Sequence, residues 1–137
     1  MGAWGAGPFE NDGSMDWVWL LDDATDLEPL TTAFQDAAGN DDYVEVDEGQ
    51  AVVAGAAILL AVLDGVIAEL PESAQPWAGR LQQPPGAAEI DLAVAALDRI
   101  VADDSEIAEL WAEADPNDNT AWLATVRRLK ERLAAHR

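Results

Sequence analysis

The sequence predicts an all-α protein: a compact single-domain bundle of five to seven helices around a buried central helix, with an irregular Gly-rich N-terminal arm. Three observations predict it. Apolar residues recur at three- and four-residue spacing, most clearly at Trp122, Val126, Leu129 and Leu133. Breaker residues, namely Gly39-Asn40, the prolines between 71 and 85, Gly86 and Pro116, separate the periodic stretches. Residues 51–63, AVVAGAAILLAVL, are apolar on every side, as a helix enclosed by others must be. At 137 residues, with half of them apolar, one core spanning residues 1–137 is the default.

The elements follow in order. Residues 1–12, MGAWGAGPFEND, carry too much glycine, and Pro8, to be regular helix. Trp4 and Phe9 make sense there if the arm lies against the body and the rings supply burial. Asn11 or Asp12 offers an N-cap for a helix to about residue 21, with Trp17, Leu20 and Leu21 as its apolar face. A second helix is predicted over 26–38, started by Thr25 or Asp26 and stopped by Gly39. Residues 43–46 alternate and read as an extended connector.

The central helix is predicted over 48–70, with Ala54, Ala57, Ala61 and Gly65 allowing neighbours to approach closely. Its apolar run is too short to cross a bilayer, which needs roughly twenty residues. A loop follows, holding one short helix with Trp77 and Leu81. The stripe Ile90, Ala93, Val94, Leu97 and Val101 predicts a helix over 87–102, after which Asp103 or Asp104 caps a short helix faced by Ile107, Leu110, Trp111 and Ala114. Pro116 is expected to end that helix, and Asp118 or Asn119 to open the last one.

Charge narrows the functional classes. The chain has 27 acids against 7 bases, a formal net charge of −20, which makes direct nucleic-acid binding improbable. Five of the cations, Arg127, Arg128, Lys130, Arg132 and Arg137, crowd into the last helix, where its dipole favours them; the rest of the chain has only Arg80 and Arg99. The acidity has two readings, genome composition or salt adaptation on one side and a surface for a basic partner on the other. Oligomeric state stays open, because a basic helix and an acidic body can satisfy each other within one chain or between two.

No catalytic constellation is visible. There is no cysteine, and the one imidazole, His136, is next to the last residue, where fraying is expected. Ser14, Ser73 and Ser105 sit where caps or turns are expected. Phosphate-binding glycine motifs are missing, and no metal site or cofactor is expected. Asp64, alone in an apolar helix, is expected at that helix's edge, facing solvent or a base such as Arg99. The start lacks a signal-peptide pattern, so the reading is cytoplasmic, with no membrane.

Six tryptophans are many for this length, and tryptophan is enriched at binding hot spots. Trp17 and Trp19 are two apart and cannot share a helix face, so Trp19, beside Asp22 and Asp23, is the candidate exposed anchor. The candidate binding residues are Trp4, Asn11, Asp12, Asp16, Trp19, Asp22 and Asp23, with Asn11, Asp12 and Asp16 forming a shallow polar pocket beside Trp4 and Trp17.

The run Gly2-Ala3-Trp4-Gly5-Ala6-Gly7-Pro8-Phe9-Glu10-Asn11-Asp12, followed by Asp16-Trp17, resembles the opening motif of a family known as domain of unknown function 4259. Residues 105–111 and Trp122-Leu123 are similar to that family's C-terminal half. The resemblance implies a small bacterial helical domain and brings no established activity. The leading expectation is a non-enzymatic module, such as an immunity or regulatory factor, that binds a basic protein. The alternatives are a nucleic-acid mimic that blocks a DNA-binding protein, and an enzyme with a carboxylate-only or metal-assisted site around Asp12, Asp16 and Asp22.

Overall fold

A computed structural model describes Gly5 and residues 7–137. Among them run seven α-helices, α1 (Asp12–Val18), α2 (Glu28–Ala38), α3 (Val46–Asp64), α4 (Gln75–Arg80), α5 (Ala87–Ile100), α6 (Glu106–Glu113) and α7 (Pro116–Ala134). Short 3-10 turns lie at Trp19–Leu21 and Ile67–Glu69. The described residues contain no strand; the connector before α3 makes one isolated bridge, with Val44 N–H donating to Asp104 O (2.9 Å) and Glu106 N–H to Val44 O (2.8 Å).

The helix α3 is the axis of the bundle, packed against α1, α2, α5, α6 and α7. Its first turn carries Asp47 and Glu48, which favour a helix N-terminus. From Gly49 to Ala61 every residue except the half-buried Ala57 is buried. The helix is nineteen residues long and apolar enough to span a bilayer, but 67% of its apolar window is buried within the bundle. It stops at Asp64 and not near residue 70. Gly65, expected as a close-packing position, instead ends the helix in the left-handed conformation (φ 73°), with open space where a β-carbon would stand and Val66 N–H donating to Ala61 O.

Close approach occurs at two other glycines. A β-carbon on Gly49 would sit 2.5 Å from Ile107 Cγ2, where α6 crosses α3. One on Gly55 would crowd the rings of Phe34 (3.1 Å) and Trp17 (3.3 Å), so α1 and α2 both lean on α3 at this point.

At the N-terminus Phe9 packs against the core, as expected of a pinned arm, while Trp4 lies outside the described residues. Asn11 caps α1 by accepting Ser14 N–H at 2.6 Å. Ser14 is not a cap: it is fully buried, and its hydroxyl donates to Gln50 O, tying α1 to α3. After Val18 the backbone tightens to three residues per turn, so Val18 and Leu21 share the buried side. Leu20, expected on that face, is 61% exposed.

The N-terminus of α2 is set by Asp26, whose carboxylate accepts Glu28 N–H at 3.0 Å, and α2 buries Leu30, Phe34 and Ala37. On α5 the expected stripe holds at Ile90, Ala93 and Leu97, but Val101 lies past the helix end and is 40% exposed. Ser105, rather than Asp103 or Asp104, occupies the cap position of α6, and its hydroxyl donates back to Ile100 O (2.6 Å). Asp104 takes a left-handed turn (φ 60°) that aspartate tolerates.

Pro116 opens α7 instead of merely ending α6. Proline lacks the N–H that a first helical residue leaves unused, and Asp115 caps it by accepting Asn117 N–H at 2.8 Å. Trp122, Val126, Leu129 and Leu133 are all buried, and Trp122 stacks on Trp111 with centroids 6.2 Å apart.

The basic end of α7 pairs with the body. Arg132 Nη2 lies 2.5 Å and His136 Nε2 2.6 Å from the Asp64 carboxylate, Lys130 meets Asp98 at 2.9 Å and Arg137 meets Asp91 at 2.7 Å. His136 is therefore held by a partner, and the partners of Asp64 are Arg132 on α7 and His136 just beyond its end. Arg99, expected to face Asp64, donates instead to the carbonyls of Asn40, Asp42, Asp103 and Asp104, closing two loops together.

Candidate functional site

A groove of about 710 Å³ opens along the outer side of α2, between the turn after α1 and the first turns of α3. Its size falls in the range of ligand and peptide clefts. Trp17, Leu20, Ala24, Pro29, Ala33 and Ala51 give it an apolar floor. The rim is acidic: Asp23, Asp26 and Glu28 on the loop and start of α2, Asp36 further along α2, and Asp47 and Glu48 on α3. No Lys, Arg or His is among the described lining residues.

The loop wall is held from behind by α4. Arg80 Nη2 donates to Leu21 O (3.0 Å), Asp22 O (2.9 Å) and Ala24 O (3.0 Å), and the fully buried Trp77 donates through Nε1 to Asp26 O at 2.8 Å. Both body arginines, Arg80 and Arg99, thus bind main-chain carbonyls. The acids in ion pairs among the described residues are only Asp64, Asp91 and Asp98, all satisfied from α7 and the three residues that follow it. The carboxylates of the groove form no ion pair among the described residues.

Of the residues singled out from sequence, Asp23 lines the groove, together with Trp17. Trp19 is 63% exposed, as an anchor should be, but stands outside the groove lining. Asp22 is exposed and contributes its carbonyl to Arg80. The expected polar pocket of Asn11, Asp12 and Asp16 includes Trp4, outside the described residues; among the described ones, Asn11 is only 8% exposed and its side chain caps α1, while Asp12 and Asp16 are exposed and do not line the groove. The groove residues missed were Asp26, Glu28, Asp36, Asp47 and Glu48. Glu28, Pro29, Thr32, Ala33 and Asp36 follow a helical repeat on the face opposite Leu30, Phe34 and Ala37, and that pattern is the signal that could have found them.

A second recess lies between the end of α5, α6 and α7, where Val101 and Leu123 are exposed. Beside it, Tyr43 donates its phenol to Glu109 at 2.8 Å. That hydrogen bond, reinforced by the negative charges of Glu109, Glu106 and Asp104, pushes the phenol up to about 12 from its ordinary 10. Tyr43 is the single tyrosine, so a spectrophotometric titration reads it directly. The phenolate signal is expected near pH 12 and, in Glu109→Gln, at lower pH. A wild-type midpoint near 10 would show that the bond is not made in solution.

Among the described residues no group of three or more His, Cys, Asp or Glu is placed to hold a metal ion. What these elements define is an all-helical protein with an acid-rimmed apolar groove. The chain belongs to the DUF4259 family, a domain of unknown function, whose profile matches residues 2–125. No curated protein and no solved structure gives a significant match.

Proposed function

We propose that this protein is a non-enzymatic binding module, of the immunity or regulatory kind, which docks a basic partner protein in the groove along α2. The observation that carries this reading is the combination of an apolar floor with six carboxylates that have no cation of their own among the described residues. Apolar contact would supply affinity, and the carboxylates would supply steering and selection for positive charge. A nucleic-acid mimic needs carboxylates in regular succession along one face; here an apolar floor divides them, which favours a protein ligand.

The test uses a synthetic Lys/Leu peptide on the full chain, with amide shifts mapped by NMR. Perturbations are expected to concentrate at residues 23–36 and 47–51. Each exposed charge pair contributes up to about 1 kcal/mol, so Asp26→Asn/Asp36→Asn/Asp47→Asn should weaken binding about tenfold or more, and raised salt should weaken it as well. Shifts scattered over the whole acidic surface, or unchanged affinity of the triple variant, would overturn the proposal.

A further inference from the structure

We infer that the groove accepts one amphipathic α-helix of its partner, presenting an apolar stripe between basic residues about two turns apart. The inference rests on the binding reading above and adds the form of the ligand.

The first argument is main-chain chemistry. An extended segment docks by pairing its backbone with a sheet edge, whereas a helix satisfies its own backbone and presents side chains alone. The described residues contain no strand, and α2, α3 and the turn after α1 use their backbone groups internally. The loop between them is closed as well: the carbonyls of Leu21, Asp22 and Ala24 are taken by Arg80 and that of Asp26 by Trp77. An extended peptide would bury N–H and C=O groups against walls that offer them little.

Geometry is the second argument. Pro29 and Ala33, one turn apart on the outer face of α2, are short enough for a second helix to lie close. Glu28 and Asp36 bracket them, and at 1.5 Å per residue their backbones are about 12 Å apart along the helix axis. A partner helix spans the same distance between positions i and i+8, or slightly less with i+7. Cations at those two positions meet the two acidic ends, and apolar residues at i+3 and i+4 fall over Ala33, Trp17 and Leu20.

Charge disfavours the simplest alternative occupant. A second copy of this chain brings another −20; Lys130, Arg132 and Arg137 are already paired with its own body, and Arg127 and Arg128, exposed and without an ion pair among the described residues, are adjacent in the chain and not two turns apart.

Two Lys/Leu peptides of identical composition separate the possibilities. One carries leucines at i+3 and i+4 between lysines at i and i+8; the other has the same residues in an order without helical period. On the full chain at low salt, the striped peptide is expected to bind at least tenfold more tightly and to gain helical circular dichroism on binding. Ala33→Glu, which blocks the floor, should remove that preference. Thr32→Arg, at an exposed position, puts a competing cation in the groove and should lower affinity for the striped peptide even if Ala33→Glu fails to fold. Equal affinity of the two peptides at residues 23–36 overturns the helical ligand and leaves the cationic-segment reading standing. Failure of both to bind there overturns both.

Discussion

Trp77→Ala is expected to cost about 4 kcal/mol of folding stability, within the range for deleting a large buried aromatic. The Trp77 ring is fully buried in the core cluster, and nothing in so short a helix as α4 can collapse into the space it fills. The substitution also leaves the Asp26 carbonyl without its donor. For a chain of this size the loss should appear as a fall in Tm of about 15 °C. Trp77→Phe keeps part of the packing and removes the N–H, so its smaller loss combines the hydrogen bond, about 1 kcal/mol, with the smaller cavity left by the shorter ring. Amides of the 22–26 loop should exchange faster in both variants. A Trp77→Ala melt close to wild type would mean that α4 does not anchor the loop.

Gly49→Val is the second large effect, about 3 kcal/mol, at the upper end for an overpacked core. Valine is the better helix former by a few tenths of a kcal/mol. Sterics decide the sign, because its branched β-carbon would start 2.5 Å from Ile107 Cγ2 and 3.0 Å from Ile107 Cβ, both buried. Ile107→Ala should relieve the clash, so Gly49→Val/Ile107→Ala is expected to be more stable than the sum of the single losses by about 1–2 kcal/mol. Additive losses in urea melts would show that α3 and α6 do not meet at this point.

The parts of this fold that were legible in the sequence are those governed by apolar period. The enclosed run at 51–63 is buried except at the half-buried Ala57, Val62 and Leu63, and the stripe Trp122, Val126, Leu129 and Leu133 is buried as its spacing requires. Element ends were less legible because two kinds of signal compete there. Pro116 reads equally as a stop for α6 and as a start for α7, and the cap geometry of Asp115 decides for the start. Leu20 has the right spacing for a buried helical face, but the switch to a 3-10 turn after Val18 rotates it outward.

The groove was less legible still. Trp19 could be singled out because two tryptophans two apart cannot share a face. Glu28 and Asp36 share the outer stripe of α2, but Asp47 and Glu48 join them only when the 39–45 connection folds α2 back on α3, and a chain with 27 acids offers no local contrast to mark those two or Asp26. Arg99 likewise looked like a partner for Asp64. Guanidinium groups chelating several carbonyls close long loops, and spacing along the chain does not show which loops those are.

The placement of the paired cations has a consequence for how this molecule meets others. Arg132 and His136 sit at Asp64, the last residue of α3, while Asp47 and Glu48 are on its first turn, about 25 Å away along the axis. One end of the rod, where Arg132 neutralises Asp64, carries little net charge and the other is negative, so the charge of the protein is unevenly spread. In the field of a positively charged surface it experiences a torque, which turns the α2 side forward before the two bodies collide.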